Sequence, residues 1–352
     1  MAEKRVLLHA GTHKTGTKTI QSFLNENRDA LLAAGLYVPE TGRRRLSETL
    51  ATPGQHLLAH GLLRGDAAAL VQALVEEVRE ADGRTVVISS EHFQYFHDRG
   101  ALLEPLLRPL AALGYEAVLT FYAREQVGYL ESIYLERVKN AAPGSFDEFY
   151  AEIITNGAVR GDAEFPVVFD YARMAEGFSH VFDERIIVRP YAAGGDSLDL
   201  IRDFLGVLTT LHGALPLSKL GVSYGHVNGR FSFGHVLGAL YRFAVAADPQ
   251  APEPAALLPA LGFDANDPML ALPAALLSRE ERLAVVRRFA PENARLEAIA
   301  KITLPGVRET DVPPNDAPIW ATAQRHRAIL ASAQHVWFSG TTPAAQARRA
   351  DL

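Results

Sequence analysis

The sequence predicts an α/β fold with a mainly parallel central sheet, helices on both faces and a helical C-terminal cap. Three observations carry this. Short apolar runs alternate with helical patterns through the first third of the chain. From about Leu211 the character changes to Gly, Pro and Ala-rich segments, such as 249–259, with helices between and no clear strand. The 352 residues are 48% apolar, enough to fill a real core.

Taken in order, Val6-Leu7-Leu8-His9-Ala10 is the first strand, and Thr17 to Ala34 reads as helix. Thr85 to Ile88 is a second strand, a helix lies near Leu102 to Leu113, and Ala117 to Tyr122 is a third strand. Arg185 to Arg189 is a further strand that should stop at Pro190, before a helical stretch from Ser197 to Val207. We expect residues 1–210 to form the α/β core, and residues 211–352 a helical cap packed on it as one domain. One helix in the cap has a clear start, because Ser278-Arg279-Glu280-Glu281 has the capping-box pattern ahead of Leu283, Val286 and Phe289.

With 35 Lys and Arg against 41 Asp and Glu the net charge is -6, opposite in sign to what a sequence-independent nucleic-acid binder needs. No nucleic-acid partner is expected, and any anion site must be local. The absence of cysteine excludes a disulfide framework, a thiolate zinc site and a cysteine nucleophile. The apolar run at Val6-Leu7-Leu8 is too short for a signal-peptide core, and no stretch approaches the roughly 18 apolar residues of a membrane span. A soluble, cytoplasmic protein without an integral membrane segment is expected; nothing in the sequence bears on its oligomeric state.

The most informative stretch is Gly11-Thr12-His13-Lys14-Thr15-Gly16-Thr17-Lys18-Thr19, between a buried strand and a helix with Ile20, Phe23, Leu24 and Leu31 as apolar positions. A helix start offers unpaired N–H groups and the positive end of the macrodipole, and two glycines let the loop curl around an anion. Lys14 adds a mobile charge, and Thr15, Thr17 and Thr19 add hydroxyl donors. The placement makes the fold P-loop-like and three-layered. The competing motif, the nucleotide-triphosphate loop G-x-x-x-x-G-K-[ST], fails by one residue, since Thr17 separates Gly16 from Lys18-Thr19. A P-loop kinase would also want a magnesium-binding acid on a neighbouring strand end, and only Val167-Val168-Phe169-Asp170 approaches one. A nonenzymatic nucleotide binder is the third reading.

The loop resembles that of sulfotransferases dependent on 3′-phosphoadenosine 5′-phosphosulfate (PAPS). In their glycan-modifying branch it reads Lys-Thr-Gly-Thr-Thr after a strand, and here Lys14-Thr15-Gly16-Thr17-Lys18. The resemblance implies that Lys14 meets the bridging oxygen between phosphate and sulfate, and that the Thr15 to Thr17 backbone and the Thr17 hydroxyl hold the 5′-phosphate. His13 adjoins this loop. Lys18 departs from the family's second threonine, with Thr19 as the compensating hydroxyl.

A second element fits the same family. The strand ending at Tyr122 is followed by Ala123-Arg124, and Ser132 lies on the helical pattern after it. The resemblance gives Arg124 and Ser132 the 3′-phosphate, a task that suits the planar arginine fork. On its own, Arg124 reads equally as a surface residue paired with Glu125 or Glu131.

A third element is Ser89-Ser90-Glu91-His92-Phe93-Gln94-Tyr95-Phe96, directly after a strand. It looks like a diverged form of the family's glutamate-base loop, with Glu91 as the base and His92 as its rival. The plainer reading makes Glu91 a helix cap or a partner of Arg124.

His56 and His60 share a helix face, which suits an acceptor pocket or a half-buried structural pair. No glutamate follows His56 as in H-E-x-x-H and no third ligand is apparent, so no metal is expected. Asn228-Gly229-Arg230 resembles late basic segments that close over the nucleotide in this superfamily. The resemblance implies transfer of a sulfuryl group from PAPS to a hydroxyl or amine of a small-molecule, glycan or lipid acceptor, releasing adenosine 3′,5′-bisphosphate.

Overall fold

The computed structural model describes residues 3–44, 52–81, 83–140, 145–160, 165–192, 197–221 and 232–338. In chain order the elements are β1 Lys4–His9, α1 Thr17–Glu26, α2 Arg28–Ala33, β2 Leu36–Tyr37, α3 His56–Arg64, α4 Ala68–Ala81 and β3 Thr85–Ser89. They continue with α5 Glu104–Ala112, β4 Tyr115–Arg124, α6 Gln126–Asn140, α7 Phe146–Asn156, β5 Ala158–Arg160, β6 Pro166–Val168, α8 Tyr171–Phe182 and β7 Ile186–Tyr191. The remaining helices are α9 Ser197–His212, α10 Phe233–Ala247, α11 Pro254–Ala260, α12 Arg279–Ala300 and α13 Ile319–Phe338. A 3₁₀ segment, Glu91–Phe96, follows β3.

Two compact units emerge, the first from Met1–Arg124, Asp170–Val227 and Glu292–Pro305, the second from Glu125–Phe169, Asn228–Pro291 and Gly306–Leu352. The chain therefore passes between the units at five points, after residues 124, 169, 227, 291 and 305.

The first unit holds a five-stranded parallel sheet in the order β2-β3-β1-β4-β7. Its central strands are apolar on both faces, as a sheet covered by helices on both sides requires. Leu7, Val87 and Val118 lie side by side in register and, with Ile20, Phe23 and Leu24 of α1 and Ile201, Phe204 and Leu208 of α9, form one buried layer. On the other face α5 and α8 pack against β4 and β7, with α4 beside α5.

Because β1 lies between β3 and β4, the chain works outward from it in one direction and then in the other. In such sheets the crevice outside the carboxyl end of the central strand is where ligands gather. The loop after β1 opens there.

Two of the departures from the expected boundaries have a visible cause. The helix expected from Thr17 to Ala34 is two helices, broken where Asn27 Nδ2 donates to the carbonyls of Phe23 and Gly221, both at 2.8 Å. An asparagine amide competes with the helix for backbone partners, and here it wins. The last strand does not stop at Pro190 but runs through it to Tyr191. β7 is the outer strand, where a residue without an N–H costs no ladder bond on its open side.

In the second unit, Tyr134 packs against Phe146 and Phe149 with ring centroids 5.0 and 5.2 Å apart, and Tyr129 and Phe289 flank Phe169. The expected capping box is present, with Ser278 Oγ accepting from Glu281 N and Glu281 Oε2 accepting from Ser278 N. Glu131, one proposed partner of Arg124, accepts from Arg282 at 3.1 Å and from the N–H groups of Leu276 and Leu277. A two-stranded antiparallel hairpin, β5-β6, has no counterpart among the expected elements. Among the described residues, no helix is long and apolar enough to cross a membrane.

Candidate functional site

Three strand ends of the first unit converge. His9, the last residue of β1, is in register with Ser89 of β3 and Thr120 of β4, so the segments that follow leave the sheet side by side. They are the 10–16 loop, the Ser90-Glu91-His92 turn and the end of β4 at Arg124.

The loop is pinned from within. Thr12 Oγ1 donates to the Tyr122 carbonyl at 3.0 Å, and the hydroxyls of Thr15 and Thr17 both donate to the Thr12 carbonyl, at 2.7 and 3.1 Å. Tyr122 N donates to Gly11 O at 2.6 Å, tying the loop to β4. Gly16, in the left-handed region at φ 74°, starts α1 without a capping side chain. Thr19 N donates back to Gly16 O at 2.9 Å, and the start of the helix carries no side-chain cap. Gly11, at φ 84°, is needed for a second reason: a Cβ there would come within 2.9 Å of Glu91 Cα. The loop and the Glu91 turn are thus in backbone contact.

Arg124, only 8% exposed, donates from Nη1 to the Lys14 carbonyl at 2.8 Å and lies over the Tyr191 ring. Lys14 is itself left-handed, at φ 58°, and its side chain is half-buried; Lys18 is exposed and Thr19 half-buried.

Glu91 is not the cap of its 3₁₀ turn; Ser90 is, with Oγ accepting from His92 N at 3.2 Å. That leaves the Glu91 carboxylate to face inward, where it accepts from Gln21 Nε2 at 3.3 Å and lies 3.7 Å from His56 Nδ1. Burial alone would push its carboxyl up, but the facing rings of His56, His13 and His92, with a backbone hydrogen bond, outweigh that and hold it below its ordinary value. His92 is pushed by burial down to about 3 although Glu91 opposes the shift. Burial likewise lowers His60, helped by Arg64 and His56 and opposed by Glu91.

The four histidines gather around one ring. The centroid of His92 lies 4.3 Å from that of His60, 5.3 Å from His56 and 5.7 Å from His13. His13 Nε2 is 2.6 Å from the Tyr95 hydroxyl. Helix α3 delivers His56 and His60 from the same face, as their spacing predicts, and the turn after β3 brings Glu91 and His92 beside His56, which the local sequence pattern does not reveal.

The first unit thus brings together His13, Lys14, Thr15, Gly16, Thr17, Glu91, His92, His56, His60 and Arg124. Ser132 lies on α6, in the second unit. Arg230 falls outside the described residues. Asp170, the acid a kinase reading would need, caps α8 by accepting from Arg173 N at 2.9 Å and follows the short hairpin rather than a strand of the central sheet.

Gln21 escaped the sequence reading, although it sits 1% exposed on the buried face of α1. A polar residue among Ile20, Phe23 and Leu24 is its signal. A separate cavity of about 870 Å³, lined by residues that include His97, Arg108, Arg173 and His180, lies between α5 and α8 and shares no residue with this cluster.

No family model matches the chain, and no curated protein matches it. Among solved structures, a sulfotransferase from Alicyclobacillus acidocaldarius is similar over 88% of this chain and 100% of that one, at a TM-score of 0.43 and 17% sequence identity. A likeness that distant bears on neither donor nor acceptor.

Proposed function

We propose that the chain is a PAPS-dependent sulfotransferase acting on an acceptor hydroxyl or amine. The observation that carries the reading is the Lys14-Thr15-Gly16-Thr17 loop, placed at the carboxyl end of the central strand β1 with the Glu91 turn in backbone contact behind it. This reading gives the anion to the uncapped α1 N-terminus, where the helix dipole favours it. Thr15 and Thr17 contribute their backbone; their hydroxyl protons are already given to Thr12, so they hold the loop's shape. Lys14 meets the leaving oxygen and Arg124 the 3′-phosphate.

In the transfer, the acceptor oxygen or nitrogen attacks sulfur, the bond between sulfur and the bridging phosphate oxygen breaks, and the electron pair leaves with adenosine 3′,5′-bisphosphate. Lys14 neutralises charge growing on that oxygen. The acceptor proton passes to Glu91, whose carboxylate is ionised at neutral pH. Burial lowers the His92 ring to about 3, so at neutral pH it is uncharged.

The test is ligand-dependent melting followed by turnover. Adenosine 3′,5′-bisphosphate without magnesium should raise the melting point, by about 2.7 kcal/mol of stabilisation at 100 times its Kd. Magnesium-ATP should not, and PAPS should be consumed with an acceptor library. Stabilisation by magnesium-ATP alone would replace this reading with phosphoryl transfer.

A further inference from the structure

His56, Glu91 and His92 each offer one ligand atom, and these atoms lie within 4.8 Å of one another. We propose that the three form a binding site for a zinc-type divalent transition ion, and that the ion, once bound, inhibits transfer by occupying the Glu91 carboxylate. The inhibition rests on the reading of Glu91 as proton acceptor; the binding does not.

The donor set is two imidazoles and a carboxylate, which suits zinc and its neighbours rather than magnesium, an ion that prefers an all-oxygen octahedron. Among the described residues, His92 Nδ1 is buried without a hydrogen-bond partner. A buried nitrogen left unpaired carries a desolvation cost that a metal bond would remove. The other two ligands have polar neighbours. Gln21 Nε2 donates to Glu91 Oε2 at 3.3 Å, as outer partners of metal ligands commonly do, and Ser90 Oγ, 2.9 Å from His56 Nδ1, makes a contact that an ion bound at that nitrogen would replace.

Ligand atoms around a tetrahedral ion at about 2.0–2.2 Å stand roughly 3.3–3.5 Å apart, so closure asks for about an ångström of side-chain rotation. His56 can supply it from a side chain 19% exposed. The set leaves a fourth position, with His60 and His13 bordering the His92 ring.

Glu91 cannot serve the ion and accept the acceptor proton at once. Metal occupancy would therefore stop the transfer while leaving the phosphate loop, which contributes no ligand, able to hold its anion.

The experiment is calorimetric titration of the full chain, stripped with a chelator, with Zn²⁺ alone, and then with Co²⁺ to read its visible spectrum. One equivalent of Zn²⁺ should bind, Mg²⁺ should not compete, and Co²⁺ should give the intense bands of a low-coordinate site. His56→Gln and Glu91→Gln should each weaken Zn²⁺ at least about tenfold. If His92→Gln fails to fold, His56→Gln, altering a partly exposed side chain, still decides the matter. Substoichiometric binding, or Zn²⁺ affinity unchanged in both His56→Gln and Glu91→Gln, overturns the site. Stoichiometric binding with undiminished PAPS turnover overturns the inhibition. Because Zn²⁺ affinity is measured without PAPS, failure of the sulfotransferase reading would leave the titration result standing.

Discussion

Arg124 Nη1 donates to the carbonyl oxygen of Lys14 at 2.8 Å, joining the end of β4 to the residue at the crest of the loop after β1. The bond gives Arg124 two tasks under the proposed function, to shape the loop and to meet the 3′-phosphate. Arg124→Ala should then raise the Kd of PAPS by roughly 10–100-fold, as loss of a charge-assisted bond of about 1.5–3 kcal/mol requires. Adenosine 5′-phosphosulfate, which lacks the 3′-phosphate, should lose less, through the loop alone. Calorimetry with both ligands measures the two tasks separately, and equal losses would leave Arg124 only the loop.

Lys14→Ala should cut kcat at saturating PAPS by roughly 10²–10³, the cost of removing one group that stabilises charge at the transition state. The left-handed backbone at φ 58° is no harder for alanine than for lysine, so the melting point should move little. A kcat within a factor of a few of the parent would remove Lys14 from the leaving oxygen.

His9 makes stability depend on acid. The ring is buried, its Nδ1 is 2.8 Å from Ser89 Oγ, and burial pushes it from 6.5 down to about 4 against the pull of Glu91. Above pH 6.5 the ring is neutral whether the chain is folded or not. As pH falls, the unfolded chain takes a proton that the native ring refuses, so stability is lost between about 6.5 and 4. The gap is worth at most about 3 kcal/mol. Urea unfolding at pH 7.5 and 4.5 should show the loss, and His9→Gln should shrink it.

The strand rhythm and the phosphate loop were legible because each is local: buried parallel strands read as apolar runs, and a glycine-bracketed turn before an amphipathic helix reads as an anion cradle. What the sequence hid was long-range or short. β5 and β6 are three residues each, too short for any period to show. The break at Asn27 depends on Gly221, far along the chain. The histidine spacing on α3 revealed a pair, but His92 arrives from the turn after β3 and His13 from the loop after β1, and only the sheet register brings them to α3.

Glu91, rather than its neighbour, should prove to be the proton acceptor. The two side chains share one turn and both are held below their ordinary values, Glu91 by the facing imidazoles against burial and His92 by burial. The assignment therefore rests on placement: Glu91 accepts from Gln21, and its backbone touches the loop at Gly11. Glu91→Gln preserves shape and the contact with Gln21 while removing the base, so kcat should fall by roughly 10²–10⁴ with the Kd for adenosine 3′,5′-bisphosphate unchanged. His92→Ala empties a packed position among His13, His56 and His60, so its cost should appear first in the melting temperature and only secondarily in kcat. Parallel measurement of kcat, nucleotide Kd and melting temperature on the two variants separates these roles. A severe kcat loss in a well-folded His92→Ala, with Glu91→Gln largely active, would move the base to the imidazole. Mild kcat effects in both would move it to His13, which stands beside Lys14 and is held by the Tyr95 hydroxyl at 2.6 Å.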